Sequence, residues 1–284
     1  MFSCSYLSIL FIFFISYKLY WVYLMDILDC IAGFLSTISI LIGGFRMKVV
    51  DYNLQKIFPD MTLKEKENIK YKSLKISFIN LLLPFHQRLL LDKNKNYIKN
   101  RFIIEEGVFS DTRRIIACAH YGIIYHPTIF SYYFGKTSFL YKNKLKILDN
   151  ILFPKKIFNT YGIYPFKHNE MSGFYREQTS DNLIIICDQK GNSEPLKYLL
   201  HEDMKIFNSP ATLHYKLNIP IYVYFSRYNF NQKKIYQKII KIKIVSSDNV
   251  QSITQKIANL FTNEIIKYPE QYLWAHNLFN MGKK

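Results

Sequence analysis

Apolar positions divide the chain into a greasy leader and an alternating body. From Tyr6 to Met25 almost every residue is apolar, with Lys18 the exception. About 20 such residues cross the hydrocarbon core of a bilayer, and Lys18 lies near one end of the run, where its stem can snorkel. A second, shorter run from Ile31 to Phe45 fits a surface-lying helix, a re-entrant helix or the span itself. Beyond it the period changes. Thr62-x-x-Glu65 has the form of a capping box, opening a helix with Leu63, Ile69, Leu74 and Phe78 as inward positions. Arg113–Ala119, Leu183–Cys187 and Pro220–Phe225 are short apolar runs that predict buried strands. Ile240–Ile244 alternates Ile with Lys, as a strand with one wet face does. Ser252–Lys267 returns to helical spacing through Ile253, Ile257, Leu260, Phe261 and Ile265, and Pro269 stops it. Strands separated by helical stretches predict an α/β fold with a mainly parallel sheet flanked by helices. The expected division is a membrane anchor over residues 1–45 and an α/β domain over 46–284.

Charge sharpens that division. The 284 residues carry 38 Lys and Arg against 21 Asp and Glu, a net +17. Only Lys18, Asp26 and Asp29 are charged among the first 45, so the body alone holds +18. No basic region precedes the apolar leader and no small-x-small site follows it, which argues against a cleaved signal peptide. Arg46 and Lys48 follow the apolar stretch, and the positive-inside rule then puts the body on the cytoplasmic side of the membrane. The plainer alternative is a hydrophobic hairpin packed on a soluble domain. Lys outnumbers Arg 31 to 7 in a composition rich in Ile, Asn, Tyr and Phe. That pattern fits an AT-rich coding bias. The lysines are dispersed and no nucleic-acid motif occurs, so nucleic acid is not an expected partner. Cys4, Cys30, Cys118 and Cys187 are far apart, with no CxxC, and no HExxH or EF-hand pattern exists. Neither a metal nor another cofactor is expected.

Candidate chemistry begins at the end of the first body strand. Ala119-His120-Tyr121-Gly122 places an imidazole at the carboxyl end of a buried strand, beside a glycine turn, where α/β sheets build their sites. A base held there can take a proton from a bound substrate; a capping or core histidine is the plain alternative.

Three further segments join it: Asn53-Leu54 with Phe58-Pro59-Asp60-Met61-Thr62, Asp188-Gln189 with Phe207-Asn208-Ser209-Pro210-Ala211-Thr212, and Pro269-Glu270-Gln271-Tyr272-Leu273-Trp274-Ala275-His276. In this order, from about Asn53 to Phe279, the set resembles the bacterial lipid A biosynthesis acyltransferases, the lauroyl and myristoyl transferases of the lysophospholipid-acyltransferase-like group. The resemblance implies an inner-membrane enzyme with a cytoplasmic catalytic body. Such an enzyme moves a fatty acyl chain from acyl carrier protein, or acyl-CoA, to a hydroxyl of a glycolipid such as a lipid A precursor. His120 would then be the general base. The basic body would serve adhesion to an anionic leaflet and capture of the acidic carrier protein.

The family's catalytic signature is a His followed by four residues and an acid, but the fifth residue after His120 is Tyr125. A phenol with a pKa near 10 can hydrogen-bond an imidazole without balancing its charge. Three outcomes follow. The enzyme works with Tyr125 or a carboxylate from elsewhere, for which Asp188 and Glu194 are the candidates by motif. It works slowly with His120 alone. Or it is a catalytically inactive homologue that binds lipid or assembles with other envelope-synthesis proteins. His126 is a possible substitute base. The second departure is Asn277-Leu278 where the family has Arg-Arg, which weakens the expectation of a phosphorylated acceptor. Gly122, Asp188, Gln189 and Arg227 are the expected substrate contacts, with Asp188 as able to cap its turn as to hold a hydroxyl or a cation. Trp274 and His276 are expected to pack the core.

Overall fold

A computed structural model describes residues 26–44, 46–93, 100–123, 127–141, 162–167, 173, 180–189 and 191–279. Residues 26–41 are helical (α1). They are followed by α2 (Met47–Ile57), α3 (Leu63–Lys93), β1 (Phe102–Glu106), β2 (Arg114–Cys118), α4 (Pro127–Phe134), β3 (Thr137–Tyr141) and β4 (Ile163–Lys167). Then come β5 (Asn182–Ile186), β6 (Leu196–Tyr198), β7 (His201–Met204), α5 (Ser209–Leu217), β8 (Ile221–Asn229), β9 (Lys234–Lys241) and α6 (Val250–Lys267), before a 3₁₀ turn, Pro269–Gln271. Seven strands form one sheet in the order β1-β9-β8-β2-β5-β3-β4. All pairs but one are parallel, and the exception is the β8–β9 hairpin. The α/β, mainly parallel architecture expected from the sequence is the one observed.

Helices cover both faces of the sheet, which is why its central strands read as unbroken apolar runs. Ile115 and Ala117 of β2, Leu183 and Ile185 of β5, and Val223 and Phe225 of β8 pack with Ile253, Ile257, Phe261 and Ile265 of α6. Ile116, Cys118 and Tyr222 face the other way, toward Phe130 of α4 and Phe109. The capping box at Thr62 forms as predicted: the Thr62 N–H donates to Glu65 Oε2 at 2.8 Å and the Glu65 N–H to Thr62 Oγ1 at 3.3 Å. Ile69 and Leu74 point inward, but Leu63 does not; it sits in the first turn and is exposed. The Ile–Lys alternation also falls elsewhere than expected. Strand β9 ends at Lys241, because its hairpin register pairs Tyr222 with Lys241 and Asn229 with Lys234. The alternation it uses is Ile235, Gln237 and Ile239, all buried.

Helix α1 takes up most of the second apolar run. Its inner side places Leu28 and Ala32 against Ile76, Ile79 and Leu83 of α3. Buried Asp29 bonds to Lys75 at 2.8 Å, to Lys233 and to the Tyr228 hydroxyl. The outer side carries Ile27, Ile31, Phe34, Ile38 and Leu41, a stripe at alternating spacings of four and three, with Phe34 66% and Leu41 78% exposed. No helix among the described residues is long and apolar enough to cross a membrane; the Tyr6–Met25 run lies outside them.

Candidate active site

The site is set by the register between two neighbouring parallel strands. Cys118, the last residue of β2, stands opposite Ile186, the last residue of β5. Both chains run on in step, with the Cys187 N–H donating to the Cys118 carbonyl at 2.9 Å. Two residues further, the same offset brings His120 beside Asp188. In a parallel pair side chains of equal parity lie on one face, so the two meet: His120 Nδ1 and Asp188 Oδ1 are 2.8 Å apart. The carboxylate is fully enclosed, whereas 19% of the imidazole side chain remains open to solvent.

Burial pushes the Asp188 carboxyl toward a high pKa. The charge of His120, hydrogen bonds from its ring and backbone, and the further charge of His276 outweigh that push and hold the carboxyl below its ordinary value. An ionised carboxylate only accepts hydrogen bonds. The proton of neutral His120 therefore resides on Nδ1, leaving the Nε2 lone pair free to take a proton.

The C-terminal motif fixes the turn that carries His120. The Leu273 N–H donates to the His120 carbonyl at 3.0 Å, the Gly122 N–H donates to the Gln271 carbonyl at 2.7 Å, and Tyr121 and Tyr272 form an antiparallel bridge. Asn53 of α2 in turn donates to the carbonyls of Trp274 at 2.7 Å and His276 at 2.6 Å. Trp274 is wholly buried, as expected; its indole N–H donates to the Pro269 carbonyl, and its ring meets Phe58 and Tyr272 edge to face. The separated motifs thus form one scaffold behind a single imidazole. His276 departs from the core role expected of it, because its ring lies against His120 with centroids 4.8 Å apart.

The loop after β5 is held just as closely. The Phe207 N–H donates to the Cys187 carbonyl at 2.8 Å. Gly191 lies so near Ile206 that a Cβ there would come within 1.9 Å of its carbonyl carbon. Gln189 Nε2 is a buried donor with no partner among the described residues.

Other sequence candidates are placed differently. Gly122 has φ +61, and an added Cβ would lie 1.6 Å from the Ser226 carbonyl oxygen. Its N–H goes to Gln271 and its carbonyl accepts from Asn80 at 2.8 Å, so it shapes the turn with both polar groups engaged. Arg227 pairs with Glu105 at 2.9 Å and lies over the Tyr236 and Tyr268 rings; these contacts do not include His120 or Asp188. Glu194 is exposed, and its carbonyl accepts from Gln251, so Asp188 alone of the two carboxylate candidates meets His120. Tyr125 and His126 lie outside the described residues. Sequence reading did not foresee His276 as a neighbour of His120; the only available signal was a polar, ionisable side chain closing an otherwise apolar motif.

A family model for the bacterial lipid A biosynthesis acyltransferases matches residues 6–281, nearly the whole chain. The chain belongs to that family. A comparison with curated proteins finds no match. Membership in the lipid A acyltransferase family points to acyl transfer in the synthesis of lipid A at the cell envelope, with a lipid A-type glycolipid as acceptor. The carboxylate that meets His120 stands just past the end of the neighbouring strand β5, at Asp188.

Proposed function

We propose that this lipid A acyltransferase homologue is an O-acyltransferase that carries a fatty acyl chain from the thioester of acyl carrier protein, or from acyl-CoA, to a glycolipid hydroxyl. The observation that carries the reading is the 2.8 Å contact between partly open His120 and buried Asp188. His120 Nε2 takes the proton of the acceptor hydroxyl as its oxygen attacks the thioester carbon. Asp188 keeps the imidazole in the right tautomer and stabilises the imidazolium that forms. The tetrahedral intermediate collapses with loss of the carrier thiol, giving ester and free thiol. No acyl-enzyme is needed. Burial raises the pKa of the two thiols next to the site, Cys118 and Cys187, which makes them poor nucleophiles. Gln189, whose buried amide nitrogen has no partner among the described residues, is suited to meet the substrate.

Attachment to the cytoplasmic side of the inner membrane completes the proposal. The Tyr6–Met25 run supplies the length for an anchor. The exposed stripe of α1 supplies an apolar face that a water-facing helix would not keep. Helix α1 belongs to the same cluster as Ile123, three residues past His120, which suits entry of a lipid acceptor from the leaflet.

The test is lipid mass spectrometry of the host with the gene intact, deleted, and replaced by the His120→Ala allele. Loss of one acyl chain in both mutant strains is the expected result, and the missing mass names the donor length. Unchanged lipid A species in the deletion strain would overturn the acyltransferase reading in favour of a silent lipid-binding homologue.

A further inference from the structure

The His120–Asp188 pair accounts for removal of a proton from the acceptor. It leaves open how the departing sulfur acquires one. Sulfur leaves a tetrahedral centre as a thiolate unless a donor stands near, and a positioned acid lowers the barrier to its departure. The structure holds a second imidazole in a suitable place. The His276 ring is tilted 51° against the His120 ring, with centroids 4.8 Å apart, and its residue, like His120, is partly exposed. Its backbone is fixed from two sides. Asn53 holds the His276 carbonyl, and the Arg46 guanidinium donates to the Ala275 carbonyl at 3.3 Å. Asp188, the buried charge nearest the pair, feels both imidazoles.

We infer that His276 is the proton donor to the leaving thiol, so that the transfer runs through two imidazoles with divided roles. The inference rests on the acyl-transfer reading above. The alcohol oxygen forms the new C–O bond while its proton passes to His120 Nε2. The C–S bond then breaks, and its electron pair stays on sulfur. Sulfur takes the proton of the His276 imidazolium. His120 returns its extra proton to His276, directly or through water, which restores both rings. The balance is one alcohol and one thioester consumed, with one ester and one thiol formed.

The test compares two donors bearing the same acyl chain, S-acyl pantetheine and S-acyl p-nitrothiophenol. The second releases a far more acidic thiol that needs no acid. His276→Ala is expected to lower kcat with the pantetheine donor about 10²-fold, the lower end of what one acid–base group contributes. The same variant should keep kcat with the aryl donor within about threefold, and added imidazole should restore part of the lost rate. His276→Gln preserves size and polarity and should show the same split, which covers the case in which the alanine variant fails to fold. Equal losses on both donors would mean that His276 only packs, and no loss on either would mean that it has no part; each overturns the inference. Wild-type protein that turns over neither thioester overturns the acyl-transfer reading itself. His120→Ala should lose both donors alike, which separates failure of the base from failure of the donor.

Discussion

Asp188→Asn tests the site most directly. The side chain keeps its size in a fully enclosed position but loses its charge. At a 2.8 Å contact between Nδ1 and Oδ1, the charge centres of imidazolium and carboxylate stand about 4 Å apart, worth about 4 kcal/mol at an effective dielectric of 20. Each 1.36 kcal/mol is a factor of ten in rate, so loss of that attraction slows the step about 10³-fold. A second effect adds to it. The new amide can donate to Nδ1, which would move the ring proton to Nε2 and remove the base; the equivalent change in a serine protease triad costs about 10⁴. The expected fall in kcat is therefore about 10³- to 10⁴-fold. KM should change little, because the stabilised charge exists only as the proton moves. The assay is liquid chromatography with mass spectrometry of the acylated glycolipid, made from acyl carrier protein thioester by purified protein in mixed micelles. A circular-dichroism melt confirms that the variant is folded. Retention of more than a tenth of the wild-type kcat, with collapse of activity in Tyr125→Phe instead, would refute the assignment of Asp188 as the partner of His120.

Other perturbations follow from the same geometry. Tyr125→Glu, which restores the family's acid, should raise kcat by less than about threefold, because Asp188 already supplies the charge; steady-state kinetics would show it. Asn53→Ala leaves the Trp274 and His276 carbonyls without their buried donor and should cost about 2–6 kcal/mol at 1–3 kcal/mol for each orphaned group, read by urea unfolding. Gly122→Ala forces a Cβ toward the Ser226 carbonyl at positive φ and should destabilise by about 3 kcal/mol or more, seen as a lowered Tm and poor soluble yield. The pKa of Asp188 is depressed on folding. Its stabilisation is thus complete above the unfolded value of about 3.9 and is lost as pH falls through the still lower folded value. An acid titration of Asp188→Asn should lack that part of the wild-type loss of stability below about pH 4.

Much of the fold was legible because its central strands are buried on both faces. Arg114–Cys118, Asn182–Ile186 and the start of Ile221–Asn229 announce themselves as apolar runs. The edge strands β1 and β4, and β3 beside β4, do not; they are mixed in composition, and neighbours decide their state more than propensity does. His120 was visible as the residue that ends a strand. Its partner was visible only as one of two candidates, because choosing Asp188 over Glu194 needs the register between β2 and β5, and a one-residue slip would turn the carboxylate to the opposite face. His276 was harder still. Its approach to His120 depends on the Leu273 and Gln271 bonds to the turn bearing His120, contacts between segments that no local pattern connects.

Those bonds have a consequence for biogenesis. The turn bearing His120 is closed by residues more than half the chain away, and the Asn53 clamp on Trp274 spans 221 positions. A ribosome therefore releases the loop bearing His120 long before the stretch that locks it, and contacts of such separation form late. The turn bearing His120 is locked beside Asp188 only once the Pro269–His276 stretch is in place, which couples assembly of the site to completion of the core.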